Sequence, residues 1–289
     1  MKTVDFRVVK DRLLESPAGR PFALDLYTPL DLSSVPLVIF AHGFKGFKDW
    51  GHWRLIAEAF AREGFAFLKF NFSHNGVTPE HPEDFADLEI FGRDNFTREL
   101  QDLEALMSAL HDSPGWLPAS VDLGRIALIG HSRGGGICAL FAAEEKRIGA
   151  LATWASVSDV GFLWKGVPWL DSWKDKGVIY IPNVRTRQEM PLYYQLFEDY
   201  EHHGDRYLVE KQLPDLGRPM LIVHGSADMS VPVMHANLLK NWYPGAEMAI
   251  IEGADHVFGG GHPFEGDVLP PHSAELVEVT IDFLKNQLK

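Results

Sequence analysis

Hydrophobic and polar residues alternate near the start of the chain, whereas further on the hydrophobic residues form continuous runs. Residues 3–10 and 21–29 alternate around Ser16-Pro17-Ala18-Gly19, which is typical of two antiparallel strands with one solvated face. The continuous runs predict strands that are covered on both faces. These runs lie at residues 37–43, 65–70, 126–129, 150–156, 220–225 and 248–251.

Between the continuous runs, apolar residues recur at helical spacing. The predicted helices lie at residues 53–62, 96–111, 137–143, 233–242 and 273–287, and residues 81–93 read as an irregular acidic loop. Alternating strands and helices predict an α/β fold with a doubly wound, mostly parallel sheet. The alternating pair at the start adds an N-terminal antiparallel hairpin. We expect one domain over residues 1–289.

Residues 157–214 are too long for an ordinary connection between two strands. Their high content of tryptophan, tyrosine and phenylalanine favours structured elements over a flexible linker. We therefore predict that residues 157–214 form a cap inserted into the domain.

A strand, a sharp turn and a helix are predicted around Gly130-His131-Ser132-Arg133-Gly134. This Gly-x-Ser-x-Gly pattern is typical of a nucleophilic serine on a strained turn, where glycines let the strand and the helix approach closely. The turn brings the backbone N–H of Arg133 to the start of the helix, which favours a developing oxyanion. A glycine-rich connection without catalysis is the alternative.

A serine nucleophile needs a base and a carboxylate that orients the base. Asp228 follows the strand at 220–225, and His256 follows the strand at 248–251. The order Ser132, Asp228, His256 matches that of a serine elbow with its partners. Asp159 is the alternative acid, and His262 and His272 are alternative bases.

Four motifs together resemble the α/β-hydrolase superfamily over most of the chain. They are His42-Gly43-Phe44, Gly130-His131-Ser132-Arg133-Gly134-Gly135, His224-Gly225-Ser226-Ala227-Asp228 and Gly253-Ala254-Asp255-His256. Within the superfamily the sequence is similar to the cinnamoyl/feruloyl-esterase-like and dienelactone-hydrolase-like branch. The turn at residues 71–77 departs from that branch, and it alters a wall of the site.

The resemblance implies a role for each matching residue. Ser132 is the implied nucleophile, His256 the general base and Asp228 the orienting acid. The backbone N–H groups of Phe44 and Arg133 form the implied oxyanion hole.

The composition disfavours several classes of partner. Lysine and arginine number 27 against 40 acidic residues, a net charge of −13, so nucleic acid and anionic membranes are unfavourable partners. The start of the chain lacks an apolar signal segment, which predicts a cytoplasmic protein. We expect no metal and no cofactor, and the oligomeric state is left open.

The expected activity is hydrolysis of a carboxylic ester with an apolar or aromatic acyl group, through an acyl-enzyme. The residues expected near this small-molecule acyl substrate are Trp154, Trp164, Trp169, Tyr180, Arg185 and Arg187. The two arginines suit a substrate carboxylate, with internal salt bridges as the alternative. A thioesterase, a small-peptide or amide hydrolase, and a non-catalytic ligand-binding protein are the alternative functions.

Overall fold

The strands of the main sheet lie where the hydrophobic pattern predicts them, and Val178–Asn183 and Gln188–Tyr193 form two further strands that the pattern did not predict. The computed structural model describes residues 4–112, 114–165 and 169–289, except for the side chain of residue 114; Thr3 of the predicted first strand and residues 166–168 of the predicted cap lie outside this description. The strands are β1 (Phe6–Leu14), β2 (Phe22–Pro29), β3 (Val35–Ala41), β4 (Ala66–Phe70), β5 (Val121–His131), β6 (Ile148–Trp154), β7 (Val178–Asn183), β8 (Gln188–Tyr193), β9 (Met220–Gly225) and β10 (Glu247–Ile251).

One sheet contains eight of these strands, in the order β1-β2-β4-β3-β5-β6-β9-β10. β1 pairs antiparallel with β2, and β2 antiparallel with β4. All other neighbours in this sheet are parallel. The predicted fold class, a mostly parallel sheet with an N-terminal antiparallel hairpin, is therefore confirmed.

Helices cover both faces of this sheet. The helices of the described residues are α1 (Trp53–Arg62), α2 (Leu88–Gly92), α3 (Phe96–Asp112), α4 (Arg133–Glu144), α5 (Leu170–Lys176), α6 (Gln195–His203), α7 (Val209–Gln212), α8 (Met234–Trp242) and α9 (Pro271–Gln287). Val38 and Phe40 pack with α1 and α9, whereas Leu37 and Ile39 pack with α3 and α4. Within the described residues, no helix is long and apolar enough to cross a bilayer.

The short helix α2 differs from the sequence-based expectation of an irregular loop over residues 81–93. Asp87 caps it, because its Oδ1 accepts a hydrogen bond from the N–H of Ile90 at 3.0 Å. A five-residue helix is too short for a periodic pattern to reveal. It is stabilised by tertiary contacts, since Phe91 is buried against Phe85.

The described part of residues 157–214 contains helices and an antiparallel hairpin of β7 and β8. Most of its aromatic side chains join the hydrophobic core on the α3 and α4 side of the sheet. Trp173 is fully buried there, and its indole N–H donates to the Leu192 carbonyl at 2.8 Å. The hairpin also contacts the segment before α2, because Gln188 donates to the carbonyl of Phe85 at 2.8 Å. The role of this segment as a cap stays a prediction.

Candidate active site

Ser132 lies on a strained turn between β5 and α4. Its φ of 56° and ψ of −124° fall in a region that residues with a side chain rarely adopt. The neighbouring glycines permit the turn: a Cβ on Gly130 would collide with the carbonyl of Gly134, and a Cβ on Gly134 with the carbonyl of His42. The turn therefore holds the Ser132 side chain at the carboxyl end of the sheet.

His256 contacts both Ser132 and Asp228. Its Nε2 lies 3.0 Å from the Ser132 hydroxyl oxygen, and its Nδ1 lies 2.8 Å from Oδ2 of Asp228. An ionised carboxylate only accepts hydrogen bonds, so Nδ1–H donates to Asp228 and Nε2 faces Ser132 as an acceptor. The imidazole is thus oriented to take the Ser132 proton.

Asp228 is buried, yet it is held in its ionised form. Its Oδ1 accepts hydrogen bonds from the backbone N–H groups of Ser230 and Val231, each at 2.8 Å. Burial by itself raises the pKa of this carboxyl, but hydrogen bonds from His224, His256 and Val231 outweigh burial and hold the pKa below its usual range. Asp228 therefore provides a fixed negative charge beside His256.

Phe44 and Arg133, whose backbone N–H groups are the expected oxyanion donors, line the same cavity as Ser132. Arg133 is the first residue of α4, so its N–H has no acceptor within the helix. Phe44 lies in the loop after β3 and lines the space around Ser132. Gly43 approaches Ser132 so closely that a Cβ there would lie 2.8 Å from the Ser132 Cβ. This close approach brings the Phe44 loop next to the serine.

The Arg133 side chain forms a buried ion cluster that the sequence did not reveal. Its Nη2 lies 2.6 Å from carboxylate oxygens of both Asp94 and Glu99. Burial raises the pKa of Glu99 to about 8 and also raises that of Asp94. The guanidinium carbon lies 4.8 Å from the centre of the Phe44 ring, a cation–π distance. Arg133 thus connects the start of α4 to the Phe44 loop.

Two cavities meet at Ser132. The smaller, of about 110 Å³, is lined by His42, Gly43, Phe44, Lys45, Gly46, Trp50, Trp53, His131, Ser132, His256 and Val257. The larger, of about 250 Å³, is lined by Phe44, Lys45, Ser132, Arg133, Val157, Val160, Phe162, Leu163, Ser230, Val231 and His256. Four aliphatic and two phenylalanine side chains are among the eleven residues that line the larger cavity, so part of it fits an apolar group.

The aromatic residues expected beside the substrate lie elsewhere. Trp154 is fully buried between the sheet and α9, and its indole N–H donates to Thr280 at 3.1 Å. Trp164 is buried against Trp173, which Trp169 also contacts, whereas Tyr180 is 59% exposed. None of the four expected aromatic residues lines either cavity. Trp154 packs against α9, and the other three are placed by the packing of the 157–214 segment.

The two arginines expected to bind substrate also lie outside both cavities. Arg185 lies over the rings of Phe47 and Phe85, at 5.8 and 5.7 Å. Arg187 is exposed and has a positive φ of 57°, because it lies in the turn of the β7–β8 hairpin. Neither arginine therefore lines a cavity at Ser132, and their contact with a substrate stays a prediction.

The alternative acid and bases have other partners. Asp159 forms an ion pair with Lys165. The Nδ1 of His262 accepts a hydrogen bond from the Gly51 N–H at 2.9 Å. His272 lies at the start of α9. The contacts of His256 therefore favour it over these alternatives.

The histidines next to the strand ends are buried and hydrogen-bonded. The His131 Nε2 donates to the carbonyl of His256 at 2.8 Å, and burial lowers the pKa of His131 to about 3. His42 accepts from the Phe72 N–H at 3.2 Å. Among the residues that the structure describes, no three metal-ligating side chains are grouped to hold an ion.

Comparisons with known proteins point to one fold. A family model described as alpha/beta hydrolase fold matches residues 36–173. Over 134 residues, the chain is 26% identical to the quorum-quenching protein AidA of Acinetobacter baumannii (strain MDR-ZJ06); the match covers 46% of this chain and 40% of that relative. The chain therefore spans less than half the length of this relative.

Two solved structures are similar over nearly the whole chain. Est1E from Butyrivibrio proteoclasticus, solved with ferulic acid bound, has a TM-score of 0.72 and 19% identity, with 96% of this chain and 98% of that chain covered. The esterase domain of a Rhodothermus marinus protein has a TM-score of 0.64 and 20% identity, with 99% and 100% covered. At these identities the two likenesses show a shared fold.

Proposed function

The chain has the alpha/beta hydrolase fold, and on that basis we propose that it is a serine hydrolase that cleaves carboxylic esters. The observation that carries the proposal is the pair of contacts that His256 makes, 3.0 Å to Ser132 and 2.8 Å to Asp228. A serine, an imidazole and a buried carboxylate in this order activate the hydroxyl for attack on an acyl carbon.

The proposed reaction has two halves. His256 takes the Ser132 proton as the serine oxygen attacks the ester carbonyl, and the N–H groups of Phe44 and Arg133 stabilise the oxyanion. The intermediate then collapses, the bond to the alcohol oxygen breaks, and His256 gives its proton to the departing alcohol. In the second half, water loses a proton to His256 and attacks the acyl-serine carbonyl. That proton returns to Ser132 as the acid leaves.

The larger cavity favours an apolar acyl group. Val157, Val160 and Leu163 supply aliphatic walls, and Phe162 supplies an aromatic one. An acyl chain in contact with these residues would be stabilised by about 0.8 kcal/mol for each buried methylene. A solved structure of the similar Est1E contains ferulic acid, which supports including aromatic acyl groups among the substrates to be tried.

Labelling with a fluorophosphonate tests the proposal, because this probe reacts with an activated serine. We expect one adduct on the unmodified protein, mapped to Ser132 by peptide mass spectrometry. Ser132→Ala and His256→Ala should both abolish labelling. His272→Ala is the matched control, since it removes a histidine outside both cavities, and it should leave labelling intact.

A panel of ester, thioester and anilide substrates then separates the acyl-transfer alternatives. We expect the highest kcat/KM on esters with an apolar acyl group. A folded protein that neither reacts with the probe nor turns over any member of the panel would contradict the hydrolase proposal. Binding of a ligand without turnover would then favour a ligand-binding role.

A further inference from the structure

Lys45 is a cation beside Ser132 that pairs with no carboxylate among the described residues. It follows Phe44 in the loop after β3 and lines both cavities that meet at the serine. Its Nζ donates to the carbonyl of Pro182 in the β7–β8 hairpin at 3.2 Å. Within the described residues, no carboxylate oxygen lies within 4.0 Å of this Nζ. A lysine ammonium has three donors, so two remain available for a ligand.

Two other buried cations, Arg133 and Lys48, differ in this respect. Arg133, which also borders the larger cavity, contacts Asp94 and Glu99. Lys48 contacts three carboxylates, those of Asp11, Asp25 and Asp49.

Lys45 is partly buried, and that burial is unfavourable for an ammonium without a counter-ion. Burial lowers the pKa of Lys45, because removing an ammonium from water disfavours the charged form. A ligand carboxylate at Nζ would restore the lost interaction. The surroundings of Lys45 therefore suit a ligand that itself carries a negatively charged group.

We propose that Lys45 binds a carboxylate on the substrate, so that the preferred esters carry a negative charge a few bonds from the scissile carbonyl. This inference rests on the proposed function, and it adds a substrate class to it. The Cα atoms of Phe44 and Lys45 are about 3.8 Å apart, and the lysine stem has four carbons, so the ammonium lies within roughly 10 Å of the Phe44 Cα. An acyl chain of several methylenes spans such a distance along the aliphatic cavity wall.

The substrate carboxylate can lie in either half of the ester, because Lys45 borders both cavities. In a monoester of a dicarboxylic acid, the carboxylate lies in the acyl half. In an ester of a hydroxy acid, it lies in the alcohol half. Two substrate pairs distinguish these two positions: monoethyl glutarate with its carboxamide counterpart, and the butyrate esters of glycolate and glycolamide. Each pair differs only in the charge.

The test compares kcat/KM within each pair. For at least one pair we expect the unmodified protein to prefer the carboxylate by about tenfold or more, and less so at high salt. Lys45→Met should abolish this preference, and Lys45→Arg should retain it. Lys285→Met is the matched control, since this lysine pairs with Glu63 away from Ser132, and it should keep the preference.

Several outcomes would overturn the inference. An enzyme that hydrolyses both pairs without preferring the carboxylate would refute the role of Lys45 and leave the hydrolase proposal intact. A preference that persists in Lys45→Met would refute it as well.

Calorimetry on Ser132→Ala with the same four esters separates binding from turnover. Tighter binding of a carboxylate ester, lost when Lys45→Met is added, supports the site even if the unmodified protein proves inactive. Equal affinities within both pairs would contradict it.

Discussion

Each oxygen of Asp228 has its own set of donors. Oδ1 accepts from the N–H groups of Ser230 and Val231, whereas Oδ2 faces His256 at 2.8 Å and His224 at 3.4 Å. The two backbone donors orient the Asp228 carboxylate, and the carboxylate orients the His256 imidazole through its hydrogen bond to Nδ1. The orientation of one ring nitrogen therefore depends on two peptide groups in the loop after β9.

Asp228→Asn should lower kcat by a factor on the order of 10⁴. The backbone donors would hold the amide oxygen of Asn, so that its NH₂ group would face His256. Nδ1 would then accept, and Nε2 would carry the proton and be unable to take another from Ser132. Steady-state ester hydrolysis measures the effect. Asp159→Asn is the control, and a larger loss in this control would show that the acid is misassigned.

At the scale of elements, the start of α4 joins three parts of the molecule. Ser132 precedes this helix, and the Arg133 guanidinium contacts Asp94 before α3, Glu99 on α3, and the ring of Phe44. The Arg133 side chain thereby connects the start of α4, next to Ser132, with the loop that contains Phe44, the second proposed oxyanion donor. Losing the guanidinium would leave two buried carboxyl groups without their partner.

Arg133→Met should destabilise the fold by about 3–5 kcal/mol, because it breaks a buried ion cluster from one side. The free energy of unfolding in urea measures this loss. Adding Asp94→Asn and Glu99→Gln to Arg133→Met should recover much of it, since the two amides need no cationic partner. If the single variant were as stable as the unmodified protein, the cluster would contribute nothing to the fold.

At the scale of the whole molecule, buried carboxyl groups connect segments that are far apart in the sequence. Asp102 on α3 accepts hydrogen bonds from the Ser16 hydroxyl, in the turn between β1 and β2, and from the Ser73 N–H, after β4, at 2.7 Å. Asp102 is fully buried, and no lysine or arginine pairs with it among the described residues. Burial raises the pKa of Asp102 to about 7, although these hydrogen bonds oppose the shift.

The raised pKa of Asp102 predicts a pH-dependent stability. Between its ordinary value of 3.8 and about 7, the folded protein holds a proton that the unfolded chain has lost. The stabilisation that Asp102 gives to the folded protein is fully present below pH 3.8. It is lost as the pH rises to about 7, by at most about 1.4 kcal/mol per pH unit.

Asp102→Asn should remove this part of the pH dependence. Urea unfolding of both proteins from pH 4 to 8 measures it. We expect the difference in unfolding free energy between the unmodified protein and the variant to fall up to about pH 7 and then level off. A difference that stays constant with pH would contradict the raised pKa.

The elements of the sheet could be predicted from the sequence because their signals are local. Continuous apolar runs give strands covered on both faces, and helix α1 has the predicted bounds Trp53–Arg62. The turn at Ser132 depends on nearby glycines, whose missing side chains are visible in the sequence. The order of Ser132, Asp228 and His256 was likewise visible, and these three side chains lie in contact in the structure.

Only the tertiary structure decided which side chains surround Ser132. Of the aromatic residues chosen from the sequence, the three tryptophans pack into hydrophobic cores and Tyr180 is exposed. Val157, Phe162 and Lys45 line the cavities instead. The Arg133 cluster joins residues more than 30 positions apart, and nothing in the local pattern marks such a pairing. The periodicity of hydrophobic residues predicts which face of an element is buried. Packing between distant segments determines which neighbour covers that face.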